Sequence, residues 1–211
     1  MTGKLIVFEG VEGSGKTTQL QRCLDWLKCE GGKERLVVVT REPGGTSLGS
    51  GLRQLLLEDR HPIQDRAELL LYAADRAQHV EELLKPQLAM GAIILCDRYT
   101  DSTVAYQGYG RGLSCDLIAQ LNQIATDGLE AQITLWLDVD AEIGLQRARA
   151  RGVADRIEQA DIAFHKRVQQ GFTQLAISHP QRIVRIDAHK SEDEVHLTVQ
   201  AILRQRLSSW F

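Results

Sequence analysis

The stretch GVEGSGKT at residues 10–17 constrains the fold of this 211-residue chain more than any other feature. It satisfies the pattern G-x-x-x-x-G-K-[ST], in which glycines allow backbone N–H groups to close around a phosphate. The apolar run LIVF precedes it, and a segment with helical spacing follows it. Because such a loop holds phosphate at the N-terminus of the helix that it opens, this order predicts a phosphate-binding loop between a strand and a helix.

The rest of the chain alternates between short apolar runs and longer amphipathic stretches. Runs rich in Val, Ile and Leu that are too short for helices are typical of parallel strands buried on both faces. Such runs occupy residues 5–8, 36–39, 92–96, 133–139 and 182–186. Helical spacing occurs in the segments 16–30, 65–84, 114–126, 158–176 and 191–207. The alternation predicts an α/β fold of the P-loop NTPase class, with a parallel five-stranded sheet flanked by helices.

Length and charge limit the classes of partner. A chain of 211 residues without an internal repeat or a linker predicts a single domain over residues 1–211. Hydrophobic residues make up 43% and charged residues 25%, and the formal net charge is only -3. Because net charge governs long-range attraction, we expect neither a nucleic acid nor a membrane as a partner.

Cysteine spacing and the N-terminus indicate the compartment. The four cysteines form no Cys-x-x-Cys pair and have no histidine at zinc-finger spacing, which predicts reduced structural thiols. The N-terminus has none of the features of a secretory signal, and no apolar run reaches the length of a membrane span. These features predict a cytoplasmic protein.

The glycine-rich loop predicts ATP or GTP together with Mg²⁺. Lys16 would offer positive charge to the β- and γ-phosphate oxygens, and the Thr17 hydroxyl would ligate the metal. The segments D-x-x-G and N-K-x-D, which a GTPase switch needs, do not occur in the sequence, so a kinase of a small acceptor is favoured. The predicted nucleotide-binding residues are Gly10, Val11, Glu12, Gly13, Ser14, Gly15, Lys16, Thr17 and Thr18.

A second charged cluster follows the apolar run 92–96. Asp97 and Arg98 stand at the carboxyl end of this predicted strand, where open α/β sheets bind ligands. Asp97 is a candidate to hold Mg²⁺ through water, and the planar guanidinium of Arg98 suits a second phosphate. We therefore predict that the acceptor binds beside these two residues.

Five segments, taken in order, resemble the bacterial thymidylate kinases. They are FEGVEGSGKTTQ, TREPGGT, LLLYAADRAQH, DRYTDSTVAYQG and RARARG followed by DRIE, and they span nearly the whole chain. The resemblance implies the nucleoside monophosphate kinase fold. It also implies transfer of the ATP γ-phosphoryl group to thymidine 5′-monophosphate (dTMP), giving the diphosphate for dTTP synthesis, and a homodimer.

The resemblance implies roles for residues that would contact the phosphate and the sugar of the acceptor. Arg98 and Arg53 would contact the phosphate, since arginine suits bidentate phosphate binding. Tyr106 would lie against the sugar where a ribonucleotide carries its 2′-hydroxyl. Glu42 would brace the arginines of the REPGG segment.

The thymine base would be bound by a second group of residues. Arg76 and Gln107 would contact its edge and Thr103 would help line its pocket. Tyr72 would stack on the ring. Much of the family has phenylalanine at this position. The implied substrate-binding residues are Glu42, Pro43, Arg53, Tyr72, Arg76, Arg98, Thr103, Tyr106 and Gln107.

A mobile lid is expected at approximately residues 147–157. On a persisting helix Arg147 and Arg151 share a face and Arg149 points elsewhere, while Gly152 marks a helix end or a hinge. Closure would bring arginine to the transferring phosphoryl group. The implied catalytic residues are Glu12, Lys16, Arg98, Arg147 and Arg151.

Glu12 is a carboxylate within a loop that binds anions. In part of the family the loop carries a basic residue and the lid does not. Here the lid is basic, so the chain resembles the lid-arginine subtype. Glu12 would then face the acceptor, either accepting a hydrogen bond from the sugar 3′-hydroxyl or positioning magnesium-bound water.

Two other functions stay open from the sequence. A kinase for uridylate or cytidylate would share most of these motifs, because a pocket that accommodates one methyl group discriminates weakly. A nonenzymatic ATP-dependent switch would bind ATP without rapid phosphoryl transfer. Turnover with a panel of monophosphates separates these possibilities.

Overall fold

The computed structural model describes residues 3–30, 36–58, 62–150, 152 and 155–207. The strands are β1 (Lys4–Glu9), β2 (Val37–Arg41), β3 (Ile93–Asp97), β4 (Ile133–Asp138) and β5 (Ile183–Asp187). They form one parallel sheet in the order β2-β3-β1-β4-β5. The predicted α/β fold with a parallel five-stranded sheet and flanking helices is confirmed.

Helical segments connect the strands. The α-helices are α1 (Lys16–Glu30), α2 (Ser47–Arg53), α3 (Asp65–His79), α4 (Lys85–Ala89), α5 (Thr100–Thr103), α6 (Cys115–Thr126), α7 (Ala141–Arg149), α8 (Ile162–Ser178) and α9 (Glu192–Arg206). Segments with wider π-helical turns continue three of them and occupy Gln54–Glu58, Val80–Leu84 and Val104–Gly110.

Burial of β1 on both faces explains its continuous apolar sequence. Ile6 and Phe8 belong to the larger core cluster, whereas Leu5 and Val7 belong to a second cluster on the other face. Alternate side chains of a strand point to opposite faces, so both sets must be apolar when helices cover both sides. This burial makes β1 the rigid base from which the glycine-rich loop departs.

The strand register brings the charged segments to one edge of the sheet. Phe8 in β1 pairs with Asp97 in β3, and Asp97 also pairs with Arg41 in β2. Because all three strands run parallel, their carboxyl ends lie side by side. The glycine-rich loop, the REPGG segment and the DRYTDS segment therefore meet at this edge, as ligand sites do in open α/β sheets.

Several helix boundaries differ from the sequence expectations. Helix α2 and the helical segment 100–110 were not predicted, because both contain glycine within the helix, which weakens the periodic signal. The helix predicted from residue 158 begins at Ile162, where the Asp161 side chain caps it by accepting from the Phe164 N–H. Helix α7 ends at Arg149, so the helix on which Arg147 and Arg151 were expected to share a face does not persist that far.

The described residues contain no helix that is long and apolar enough to cross a membrane. All four cysteines are free thiols: Cys23 and Cys96 are buried, and Cys29 and Cys115 are exposed. Burial raises the pKa of the Cys23 thiol to about 12, so this side chain is a protonated part of the core.

Candidate active site

The glycine-rich loop, residues 10–18, is called the nucleotide cradle below. It leaves β1 at Gly10 and enters helix α1 at Lys16. Gly13 has a φ of +68°, and a Cβ added there would lie 2.0 Å from the carbonyl oxygen of Gly144. Only glycine combines this backbone conformation with such a close approach. The loop thus packs on helix α7 while its backbone stays at the N-terminus of α1.

Lys16 lies inside the cradle. Its ammonium group donates hydrogen bonds to the carbonyl oxygens of Gly10 and Val11, at 2.9 Å each. Burial, and then the neighbouring Arg98, lower the pKa of Lys16 to about 8. The ammonium is therefore held by the loop itself at the place where phosphate oxygens would be expected.

Thr17 and Asp97, the two predicted metal ligands, are brought together. The Thr17 hydroxyl lies 3.4 Å from Oδ2 of Asp97, and Oδ1 of Asp97 is buried without a hydrogen-bond partner. No cluster of three or more His, Cys, Asp or Glu side chains suited to a metal occurs among the described residues. Mg²⁺ is commonly held by one or two protein ligands, substrate phosphates and water. This hydroxyl, the unpartnered carboxylate oxygen and the adjacent cradle fit that ion.

Arg98 occupies the centre of the site, with Glu12 and Tyr106 around it. Its guanidinium pairs with Glu12 Oε1 and lies 4.9 Å from the centroid of the Tyr106 ring. The Tyr106 hydroxyl donates to the same oxygen of Glu12 at 2.9 Å. Burial opposes ionisation of Glu12, but Arg98 and Lys16 lower its pKa to about 2. The carboxylate in the cradle is thus ionised and faces two cations.

Glu9, for which the sequence pattern predicted no role, holds the turn that carries Arg98. Arg98 has a φ of +70°, in the left-handed region that non-glycine residues seldom adopt. Glu9 Oε1 accepts from the backbone N–H groups of Tyr99 at 2.9 Å and Ser102 at 3.1 Å. Burial raises the pKa of Glu9 to about 7. A carboxylate at the end of a buried strand was the sequence feature that could have identified Glu9 as part of the site.

A cavity of about 80 Å³ opens beside Arg98 and is called the acceptor cavity. All nine residues predicted to bind substrate line it, which the sequence spacing alone did not require. Its lining consists of Glu12, Glu42, Pro43, Arg53, Leu57, Tyr72, Arg76, Arg98, Tyr99, Ser102, Thr103, Tyr106, Gln107, Asp155 and Ile157.

Arg76 is fully buried in the wall of the acceptor cavity rather than solvated. It donates to Glu42 at 2.8 Å, to the Thr103 hydroxyl at 2.9 Å and to Asn122 at 2.8 Å. The expectation that Glu42 braces the arginines of the REPGG segment was wrong. Glu42 instead bonds Arg76 and His79, because it leaves the end of β2 toward α3.

Glu68 forms a second buried cluster beside the acceptor cavity. It accepts a hydrogen bond from Gln107 at 2.8 Å and pairs with Arg111 and Arg156. Arg156 also donates to the carbonyl oxygen of Leu56 at 2.8 Å. This cluster therefore ties the DRIE segment to α3 and to the turn after α2. The sequence pattern predicted no role for Arg156 or Glu68, although Arg156 lies in the DRIE segment.

The acceptor cavity joins a larger cavity of about 480 Å³ that is lined by the cradle. Both cavities are lined by the same five residues, which define the junction: Glu12, Glu42, Arg53, Arg98 and Asp155. At the junction, the Arg53 guanidinium donates a hydrogen bond to the carbonyl oxygen of Pro43 at 3.0 Å. A group bound in the cradle and a group bound in the acceptor cavity would therefore meet at Arg98.

Arg147, one of the two predicted lid arginines, does not line the junction. Arg147 donates to the carbonyl oxygen of Ala188 at 3.2 Å and lines a third cavity with Gly13, Ser14, His189 and Lys190, among others. Arg151 lies outside the described residues. Gly152 has a φ of +146°, which agrees with its expected place just after a helix end.

Comparisons with known proteins agree with this geometry. A family model described as thymidylate kinase matches residues 8–199. The chain is 62% identical over 210 residues to a thymidylate kinase of Nostoc punctiforme, covering 98% of each chain. It is 60% identical to a thymidylate kinase of Nostoc sp. over the full length of both. A crystal structure of thymidylate kinase from Ehrlichia chaffeensis superposes with a TM-score of 0.81 at 38% identity, covering 96% of this chain and 100% of that one.

Proposed function

We propose how this chain, which belongs to the thymidylate kinase family and phosphorylates dTMP to dTDP with ATP as the donor, carries out the transfer. ATP binds in the nucleotide cradle and dTMP in the acceptor cavity. The γ-phosphoryl group passes between them at the junction. The observation that carries this proposal is that the two cavities share Glu12, Arg53 and Arg98.

On the donor side the cradle binds the phosphates of ATP. Backbone N–H groups at the start of α1 surround the β-phosphate, and Lys16 exchanges its loop carbonyls for the β- and γ-oxygens. Thr17 and Asp97 hold Mg²⁺, which when bound neutralises charge on the phosphates. Phosphoryl transfer needs little covalent chemistry from the protein, so these residues act by position and charge.

On the acceptor side Arg98 and Arg53 hold the phosphate of dTMP. Arg98 is suited to this role because Glu12, Glu9 and the turn at Ser102 fix its guanidinium before substrate arrives. A preorganised charge stabilises a developing charge without reorganisation at the moment of reaction. Arg98 therefore orients the attacking phosphate oxygen toward the γ-phosphorus.

Glu12 and Tyr106 contact the sugar. Oε1 of Glu12 is taken by Arg98 and Tyr106, and Oε2 makes no hydrogen bond with the described part of the chain. We assign Oε2 to the 3′-hydroxyl of dTMP. The Tyr106 ring is fixed by edge-on packing against Phe164 and Phe172, so it occupies the space beside the sugar rigidly.

The thymine base lies between Tyr72 and the buried wall of the cavity. Tyr72 stacks on the ring, Thr103 lines the pocket, and Arg76 and Gln107 contact the base edge. Arg76 is suited to this because its contacts with Glu42 and Thr103 hold it in place. Its Nη2 donates one N–H to the carbonyl oxygen of Tyr99, and the second N–H of that nitrogen is left for the base.

We also propose a lid over residues 147–157 that closes on ATP. Its distal end is the DRIE segment, which Arg156 ties to Glu68. Its proximal end is the last turn of α7, where Arg147 borders the cradle. Closure would bring Arg151 or Arg147 toward the phosphates and exclude water.

A homodimer is proposed for the surface formed by α2, α3 and α6. Helix α3 packs against both of the others, and the exposed face carries Leu48, Leu70, Leu117 and Ile124, with Ile124 77% exposed. We infer that these side chains form one apolar patch, and exposed apolar patches of this kind mark interfaces. Sedimentation equilibrium should give twice the chain mass for the wild type and the single-chain mass for Ile124→Glu. An unchanged mass for that variant would reject this face.

A coupled ADP-release assay with dTMP, dUMP, UMP and dCMP tests the transfer. We expect the highest kcat/KM with dTMP. ADP release that is equal with and without any acceptor would reject transfer at the junction. Higher activity with the ribonucleotide than with dTMP would reject the sugar contacts.

A further inference from the structure

Gln107 and Glu68 are both buried, and they are joined by one hydrogen bond. Gln107 is 2% exposed and Glu68 0% exposed, and Nε2 of Gln107 donates to Oε1 of Glu68 at 2.8 Å. Gln107 lines the acceptor cavity, whereas Glu68 lies behind it and is not among the lining residues. Glu68 can therefore affect a bound base only through Gln107 or through its other partners.

The ionised carboxylate decides which way the Gln107 amide faces. A carboxylate only accepts hydrogen bonds, so its partner must be the amide N–H₂ and not the amide oxygen. Burial acts to raise the pKa of Glu68, but the hydrogen bond from Gln107, the charge of Arg111 and the hydrogen bonds from Arg111 and Arg156 lower it overall. The side chain is thus an acceptor at neutral pH. Oε1 of Gln107 bonds none of the described residues and is left for the cavity.

We propose that Glu68 is a positioning residue that sets base specificity by turning the Gln107 carbonyl toward the acceptor cavity. The inference rests on the proposed contact between Gln107 and the base edge. A fixed carbonyl accepts a hydrogen bond from a base that carries an N–H there, as thymine does at N3. Cytosine presents a ring nitrogen acceptor at that position, so two acceptors would face each other in a buried site.

The same carboxylate also joins base recognition to the lid. Arg156 of the DRIE segment bonds Glu68, so one group contacts both the proposed lid and the residue that reads the base. Loss of the carboxylate therefore has two separable effects. One is on base preference through Gln107, and the other is on turnover of every acceptor through Arg156.

The test measures kcat/KM for dTMP and for 5-methyl-dCMP, which differ only at the ring N3 and the adjacent exocyclic group. In Glu68→Gln the residue can offer either an oxygen or an N–H₂ to Gln107, so the amide is free to reverse. We expect the ratio of kcat/KM for dTMP to kcat/KM for 5-methyl-dCMP to fall by about tenfold or more. A reversed amide loses one neutral hydrogen bond to dTMP and no longer leaves a buried group unpaired against 5-methyl-dCMP. An unchanged ratio would overturn the proposal.

The matched control is Arg156→Gln, which removes the lid contact and leaves Glu68 ionised beside Arg111. It should lower kcat for both acceptors by the same factor and keep the ratio within about twofold. A ratio that falls as far in Arg156→Gln as in Glu68→Gln would assign the effect to the lid and overturn the proposal.

The Gln107→Leu variant separates the inference from the proposed base contact. Gln107→Leu should lower the ratio, and adding Glu68→Gln to it should not change the ratio further, as expected for two residues in one chain of contacts. If Gln107→Leu leaves the ratio unchanged, the base contact itself is wrong. If Gln107→Leu lowers it and Glu68→Gln does not, only the role of Glu68 is wrong.

Glu68→Asp provides a second variant should Glu68→Gln not fold. It keeps the charge for Arg111 and withdraws the carboxylate from Gln107 by one methylene group. We expect a smaller fall in the ratio, about threefold to fivefold, for loss of part of one hydrogen bond. A ratio equal to that of the wild type in a folded Glu68→Asp protein would contradict the proposal.

Discussion

The nucleotide cradle and the acceptor cavity meet at Arg98, but they are built from different kinds of groups. The cradle is one continuous segment that surrounds phosphate mainly with backbone N–H groups, and Lys16 bonds atoms only two to six residues away. The acceptor cavity is built from side chains that lie far apart in the sequence. Arg76 and Glu42 are 34 residues apart, and Tyr106 and Glu12 are 94 residues apart.

This difference predicts how each region responds to mutation. A backbone cradle tolerates changes at the side chains that face away from phosphate. A network of buried charged side chains is sensitive to each member, because removing one partner leaves another buried charge uncompensated. We therefore expect substitutions in the acceptor network to affect both activity and stability, and substitutions on the donor side to affect mainly activity.

Arg98→Ala should have the largest effect, because Arg98 serves the acceptor phosphate and compensates Glu12. Loss of a charge-assisted contact with the acceptor phosphate costs a few kcal/mol, so kcat/KM for dTMP should fall by about 10³-fold. Thermal stability should also drop, because Glu12 loses the cation that it pairs with. Coupled ADP release and thermal unfolding measure the two effects. Lys16→Ala is the comparison on the donor side and should lower turnover to a similar extent with a smaller loss of stability. Near-normal dTMP affinity in Arg98→Ala would contradict the acceptor role.

Glu12→Gln should lower turnover by about 10- to 100-fold, as expected for loss of one charge-assisted hydrogen bond. ATP affinity should stay near normal or increase, because the carboxylate faces the acceptor. Turnover of an acceptor that lacks the 3′-hydroxyl should fall less in this variant than turnover of dTMP, because that acceptor has already lost the contact with Glu12. Steady-state kinetics with both acceptors give the coupling. Equal harm to both would leave only the role in positioning magnesium-bound water.

Asp75→Asn should stabilise the protein in a pH-dependent manner. Burial, and then the charge of Glu42, raise the pKa of Asp75 from 3.8 to about 6. The native state therefore holds this proton more tightly than the unfolded chain, and stability from this group is lost as pH rises from about 4 to about 6. Asparagine keeps the acceptor for the Gly44 N–H without that loss. Urea unfolding should show a gain of at most about 3 kcal/mol at pH 8 and a smaller gain at pH 4.5. A gain in the free energy of unfolding that is larger at pH 4.5 than at pH 8 would contradict a raised pKa of Asp75 in the folded protein.

Arg147→Ala should have the smallest effect, and it should fall on the donor side. Arg147 borders the cradle and not the acceptor cavity, so KM for ATP should rise about threefold to tenfold, as for one partly exposed polar contact, with little change in KM for dTMP. Arg149→Ala, at an exposed position of the same helix, is the matched control and should be near neutral. A larger rise in KM for dTMP than in KM for ATP would contradict the donor-side role of Arg147.

The sequence was informative wherever function depends on contiguous residues. The motif at 10–17 needs no distant partner for its backbone conformation, and the end of an apolar run located Asp97 and Arg98 beside it. The alternation of apolar runs and amphipathic segments also predicted the parallel sheet, because the hydrophobic period follows directly from which faces are buried. These features were determined by the sequence itself.

Tertiary structure decided the partners of each charged side chain. Nothing in the sequence shows that Glu42 bonds Arg76 and His79 rather than Arg41, or that Glu68 bonds Gln107. Pairing energies between charges depend on distance and burial, and both arise only when strands and helices from distant parts of the chain are packed together. The sequence by itself therefore determined the fold class and the phosphate-binding loop, whereas the orientation of the groups that meet the acceptor was decided by packing.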